Sequence, residues 1–123
     1  MYFKFDERTP LYLQIADQIE SAILKGIYKK GQQIPSTTEI SKEYRINPAT
    51  VLKGMNILVE KNLIEKKRGL GMFVTQNSQD EILEDRQATF YQDYVLKTVE
   101  VAKELNLSLE ELQELIERGY QND

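Results

Sequence analysis

The chain has 123 residues, 41% of them hydrophobic and 29% charged, which suits one modest soluble domain with an appendage. It contains no His and no Cys, which excludes disulfides, zinc sites built on those ligands, thiol nucleophiles and imidazole bases. The formal charge of −4 is unevenly held: residues 1–77 carry 12 Lys and Arg against 8 Asp and Glu, and residues 78–123 carry 4 against 12.

In chain order, Tyr2-Phe3-Lys4-Phe5 alternates enough for a short strand or an arm. Thr9 is expected to cap a first helix with Pro10 at its first position, where the missing N–H costs nothing. Leu11, Ile15, Ile19, Ala22 and Ile23 repeat at helical spacing, and Gly26 is placed as the C-terminal cap. Ser36-Thr37-Thr38-Glu39 has the form of a capping box, opening a short helix with Ile40 and Tyr44 on its apolar face.

Asn47-Pro48 repeats the cap-plus-proline signature and starts a third helix over residues 48–61. Its inner face is Val51, Gly54, Met55 and Leu58; its outer face is Ala49, Lys53, Asn56 and Glu60, flanked by Thr50 and Leu52. Two short helices joined by a tight turn predict a helix-turn-helix. After Asn62 the period changes to that of a hairpin, with strands over 63–68 and 72–75 around a Gly69-Leu70-Gly71 turn. A hairpin directly after such a helix is a wing.

Residues 76–80 are polar and read as a linker. A long helix is expected over 80–105, broken at Asn106-Leu107. Ser108-Leu109-Glu110-Glu111 is a second capping box, opening a last helix with Leu109, Leu112, Leu115 and Ile116 inward and Gly119 at its end. The expected fold is mainly α with a small β-hairpin: a winged helix-turn-helix over residues 1–77 and a two-helix dimerisation tail over 78–123.

DNA presents a dense array of phosphates, so a binder surrounds its reading element with cations and N–H donors. The basic N-terminal part meets that need. Lys53 and Asn56 lie on the outward face of the third helix, with Asn47, Ala49, Thr50 and Leu52 near its N-terminus. Thr50 suits a phosphate or a base edge, and Ala49 or Leu52 a thymine methyl. Ser36, Thr37 and Thr38 begin the preceding helix, whose free N–H groups suit a phosphate. Lys66 and Lys67 point to opposite faces, and Lys67 is assigned with Arg68, Gly69 and Gly71 to the wing's contact. Ser36 and Asn47 have a second reading as helix caps alone, and the wing glycines as turn formers alone.

Phe90, Tyr94, Val95, Val99, Leu112 and Leu115 give the tail more apolar surface than a lone two-helix hairpin can bury. Homodimerisation is therefore expected, and a two-fold dimer reads an inverted repeat; packing back on the first helix is the alternative. No catalytic residue, metal ligand or cofactor is assigned, and the sequence identifies no small-molecule effector. The first residues show no signal-peptide pattern and no apolar run spans a bilayer, so a cytoplasmic location without a membrane partner is expected. A winged helix used for protein–protein contact, without specific DNA binding, is the competing class.

Four blocks taken together resemble the GntR family of bacterial regulators. They are Pro10-Leu11-Tyr12-Leu13-Gln14-Ile15, Gly31-Gln32-Gln33-Ile34-Pro35-Ser36, Ile46-Asn47-Pro48-Ala49-Thr50-Val51 and Arg68-Gly69-Leu70-Gly71-Met72-Phe73-Val74. The short tail, with Leu105-Asn106-Leu107-Ser108-Leu109-Glu110-Glu111-Leu112, resembles the YtrA subfamily. That resemblance implies operator binding by a homodimer with an ABC-transporter or envelope-stress operon as target, and repression is the expected sign because a compact dimer can occupy a promoter. Two positions depart from the family's pattern: Thr38 stands where Arg is usual, and Gly54 where Ala is common. Loss of the Arg removes a bidentate partner for guanine or phosphate, so the family's usual operator is not carried over.

Overall fold

A computed structural model describes residues 2–122, with helices α1 (Leu11–Leu24), α2 (Thr37–Tyr44), α3 (Pro48–Glu60), α4 (Ser78–Phe90), α5 (Leu96–Glu104) and α6 (Leu109–Gln121). Strands β1 (Ile64–Lys67) and β2 (Gly71–Val74) form an antiparallel hairpin between α3 and α4. The chain divides into two compact units, residues 1–84 and 85–123.

In the first unit the opening residues are an arm without strand pairing. The alternation of Phe3 and Phe5 serves an aromatic cluster with Tyr44: both rings meet it edge-on, and Phe3 N–H donates to the Tyr44 hydroxyl at 3.3 Å. Thr9 is not the cap of α1. Pro10 holds that position with extended backbone (φ −52°, ψ 136°), and the side chain of Gln14 completes the turn. Gln14 donates to the carbonyls of Asp6 and Thr9 and accepts from Asp6 N–H. At the other end Gly26 sits at φ +78°, one residue past the cap Lys25. Gly26 N–H donates to Ile23 and Ile27 N–H to Ala22, the paired bonds that close a helix through a left-handed residue.

The core joins Ile15, Ile19 and Ile23 of α1 to Ile40 of α2, Val51, Met55 and Leu58 of α3, and Ile64 and Val74 of the hairpin. Ile82 of α4 is buried in the same cluster, so the start of α4 belongs to this unit. The expected linker is accordingly short, since helix begins at Ser78. Ser78 is buried with its hydroxyl donating to Thr75 O at 3.0 Å, and the Gln79 amide donates to Leu24 O at 2.9 Å. These bonds anchor the first turn of α4 to α1 and to the end of the hairpin.

The crossing of α1 over α3 depends on Gly54. A Cβ there would lie 2.7 Å from the backbone oxygen of Tyr12 and 3.2 Å from Ile15. Glycine inside a helix costs about 1 kcal/mol relative to alanine, but at this position the missing methyl admits a neighbouring backbone.

In the second unit the expected unbroken helix is interrupted. Residues Tyr91–Val95 form a π-turn in which Leu96 N–H donates to Tyr91 O, five residues back. The Thr98 hydroxyl donates to Tyr94 O at 2.8 Å, giving that carbonyl a side-chain donor in the widened ladder. Asn106, in the left-handed region at φ 59°, ends α5 through Leu107 N–H to Ala102 O. Ser108 and Glu111 form the expected capping box, and its hydrogen bonds hold the Glu111 carboxyl below the usual glutamate range, the Ser108 backbone N–H first. Gly119 does not end α6, which continues to Gln121. Leu109, Leu115 and Ile116, expected inward, are exposed, and Leu112 is half-buried.

Gly54→Ala should lower stability by about 1–3 kcal/mol, because the added methyl meets backbone that cannot swing aside. Thermal or urea unfolding measures this; an unchanged or raised midpoint would show that α1 can lift off α3 without cost.

Candidate nucleic-acid interface

The turn between α2 and α3 is built from local hydrogen bonds. Ser36 Oγ accepts from Glu39 N–H at 3.0 Å while the Glu39 carboxylate accepts from Ser36 N–H at 3.3 Å. Arg45 leaves α2 in the left-handed conformation, Ile46 N–H donates to Ser41 O, and the Ser41 hydroxyl donates to Ile46 O at 2.6 Å. Asn47 then caps α3 by accepting from Ala49 N–H at 2.8 Å, with Pro48 at the first helical position. Ser36 and Asn47 are thus both structural caps. Each retains hydrogen-bonding capacity beyond its cap, since Asn47 uses only its carbonyl oxygen and keeps the amide's two donors.

Beyond the caps, α3 turns Val51, Gly54, Met55 and Leu58 into the core, as its spacing predicts. Ala49, Leu52, Lys53 and Asn56 are exposed and line a shallow groove of about 420 Å³ with Tyr12 of α1. Thr50 is half-buried at the first turn, and Thr37 and Thr38 open α2 beside Ser36. Lys53 Nζ lies 4.1 Å from the centroid of the Tyr12 ring, a contact that the sequence pattern does not announce. Its spacing signal is present only in α1, where Tyr12 falls between the buried positions Ile15 and Ile19 and the exposed Leu13.

The wing differs from expectation by one residue. Gly71 is the first residue of β2, paired with Lys67, and the loop is Arg68-Gly69-Leu70. Leu70 N–H donates to Lys67 O, with Gly69 at φ +77° in the position that demands glycine. Pairing of Ile64 with Val74 and Lys66 with Met72 sets those residues on one face, where Ile64, Met72 and Val74 are buried and Lys66 is exposed. Lys67 and Phe73 share the other face, where Lys67 Nζ lies 4.6 Å from the Phe73 ring centroid. Arg68 and Gly69 are exposed at the tip.

Gln33 was not among the expected site residues, yet it ties the wing to the approach of α2. Its backbone bridges to Phe73, and its amide donates to Leu70 O at 2.7 Å. Ile34 N–H to Met72 O and Val74 N–H to Gln32 O extend that pairing, so residues 32–34 flank β2. A Cβ on Gly71, which sits at φ +127°, would lie 2.5 Å from the Gln33 amide nitrogen. The second wing glycine therefore makes room for this amide at the start of β2.

Two other chemistries receive no support among the described residues. No group of His, Cys, Asp and Glu there is arranged to hold a metal ion, and no helix is long and apolar enough to cross a membrane.

The family model described as bacterial regulatory proteins, gntR family, matches residues 11–74. The chain is 32% identical to the HTH-type transcriptional repressor YtrA of Bacillus subtilis over 88% of its own length and 82% of that protein. A putative transcriptional regulator of the GntR family from Bacteroides thetaiotaomicron superposes with a TM-score of 0.68 at 32% identity, covering 89% of this chain and 96% of that one. The DNA-binding domain of AraR in complex with operator ORX1 gives a TM-score of 0.55 at 27% identity, covering 58% and 93% respectively.

If Gln33 holds the wing, Gln33→Ala should raise hydrogen exchange at Leu70 about fivefold, the effect of removing one hydrogen bond of about 1 kcal/mol. Amides of α3 should be unaffected. Unchanged exchange at Leu70 would show that the turn holds itself.

Proposed function

The chain is a GntR-family transcriptional regulator with a DNA-binding helix-turn-helix, and from that premise we propose that it is a cytoplasmic repressor that binds an inverted-repeat operator as a homodimer. The observation that carries the proposal is the outward face of α3: Ala49, Leu52, Lys53 and Asn56 are exposed beside a capped helix N-terminus. Exposed leucine at 46% beside a cation and an amide suits a groove that offers thymine methyls, phosphates and base edges together. Ser36, Thr37 and Thr38, with the N–H groups of the α2 terminus, add phosphate donors, as do Asn47 and Thr50 at α3. At the wing, Lys67, Arg68, Gly69 and Gly71 present cations and close-approaching backbone.

The second unit supports assembly. Ala102 is its one buried apolar residue among those described, whereas Phe90 (54%), Tyr94 (64%) and Leu115 (43%) are exposed. Val95, Val99 and Leu112 are half-buried, and an apolar groove of about 280 Å³ runs between α5 and α6 past Val101, Ala102, Leu105 and Leu112. Apolar surface on this scale in so small a unit favours burial against a second copy. Repression fits a compact dimer that occupies a promoter, and the similar B. subtilis protein is a transcriptional repressor. The YtrA-like tail supports an ABC-transporter or envelope-stress operon as the regulated class.

Selection of duplexes from a randomised pool, followed by binding at graded salt, tests the DNA reading. The enriched site should be an inverted repeat, and a reporter whose promoter overlaps it should fall when the protein is expressed. Lys53→Ala and Arg68→Ala should each weaken binding and flatten the salt dependence by about 0.9 log units per decade of salt for each phosphate that the variant no longer neutralises. Retention of no duplex would turn the reading to a protein-interaction module, and a rising reporter would make the protein an activator.

Sedimentation tests the assembly separately. Wild type should run as a dimer at micromolar concentration, and Tyr94→Asp with Leu115→Asp should shift it to monomer without unfolding the first unit. A wild-type monomer that binds DNA singly would overturn the dimer.

A further inference from the structure

We propose that Tyr12 is a positioning residue of the DNA-reading face, its ring holding the Lys53 ammonium in place with the charge left free for a phosphate. The inference rests on the reading of Lys53 as a DNA contact.

Three observations converge on it. Lys53 Nζ lies 4.1 Å from the Tyr12 ring centroid, well inside the range of a cation–π contact. Tyr12 lines the same groove as Ala49, Leu52, Lys53 and Asn56, so the ring is part of the exposed face of α3 although it comes from α1. Gly54, the next residue after Lys53, lacks the side chain that would collide with the Tyr12 carbonyl at 2.7 Å. That missing side chain lets the α1 backbone settle on α3 at Tyr12 and brings the ring beside the lysine.

The chemistry of the holder matters. An unheld lysine samples many rotamers and gives up that freedom when it meets a phosphate. A carboxylate partner would restrain the ammonium equally well, but it would cancel the charge and repel the DNA backbone. An aromatic face attracts the cation through its quadrupole and carries no net charge. Tyr12 therefore orders Lys53 without neutralising it. Lys61 differs from Lys53 in this respect, since its ammonium lies 3.5 Å from the Glu20 carboxylate at the far end of α3.

The test uses the full chain and the duplex that wild type enriches from a randomised pool. Tyr12→Leu should weaken binding about threefold to tenfold, the range of a cation–π contact, and Tyr12→Phe should bind as wild type does. Combined with Lys53→Ala, Tyr12→Leu should add no further loss. Without DNA, the Lys53 Hε protons should be shifted upfield by the ring in wild type and Tyr12→Phe, and should lose that shift in Tyr12→Leu. An equal loss from Tyr12→Leu in the wild-type and Lys53→Ala backgrounds would overturn the inference, as would unshifted Hε protons in wild type. The proton shifts decide the contact even if Tyr12→Leu fails to fold. Lys53→Ala with unchanged affinity and salt dependence would instead remove the DNA reading of Lys53, and the inference with it.

Discussion

The close contact between α1 and α3 at Gly54 is the constraint on which the first unit depends. The backbone oxygen of Tyr12 occupies the space that a side chain at Gly54 would fill. This proximity seats Ile15 and Ile19 against Val51, Met55 and Leu58, which form the centre of the core. It also fixes which residues of α3 remain outside. With Gly54 turned fully inward, Lys53 and Asn56 fall on the rim and Ala49 and Leu52 complete the exposed face. Packing and recognition are therefore two sides of one helix crossing.

Around that crossing, helix ends do much of the specification. Residues in the left-handed conformation close α1, α2, α3 and α5: Gly26, Arg45, Asn62 and Asn106. In each case the next residue returns a backbone N–H to a carbonyl five residues back, as Leu63 does to Leu58. Side-chain caps open α2, α3 and α6. Because these bonds join neighbours in sequence, they fix where each helix starts and stops independently of what it packs on. Short helices can then be joined by turns tight enough to aim α3 outward while its other face stays in the core.

The two units are stabilised differently. The first buries a contiguous core; among the described residues the second buries little beyond Ala102 and keeps its aromatic and most of its leucine side chains in solvent. Charge divides slightly earlier in the chain, basic in residues 1–77 and acidic in residues 78–123, so the acidic start of α4 falls within the first unit. A basic surface with exposed hydrogen-bonding groups suits a polyanion, and an acidic surface with exposed apolar groups suits another protein surface. The π-turn at Tyr91–Val95 lies among those exposed aromatics, with the Phe90 and Tyr94 ring centroids 5.5 Å apart and the rings tilted by 33°.

The sequence by itself determined whatever depends on near neighbours. The capping boxes at Ser36 and Ser108, the Asn47-Pro48 start of α3, the inward face of α3 and the existence of the wing follow from residue type and spacing, because each is settled within a few bonds along the chain. Tertiary structure decided what depends on residues brought from afar. Ile82 and Gln79, the latter bonded to Leu24 55 positions earlier, drew the start of α4 into the first unit. Gly71 moved from turn to strand, where it faces a glutamine 38 positions earlier. The π-turn had no announcing Pro or Gly, since a widened turn leaves the apolar spacing nearly intact. Gly54 shows the division most plainly. In the sequence it is a helix-weakening residue on an apolar face; only the approach of Tyr12, 42 positions away, makes its missing methyl the condition for the crossing.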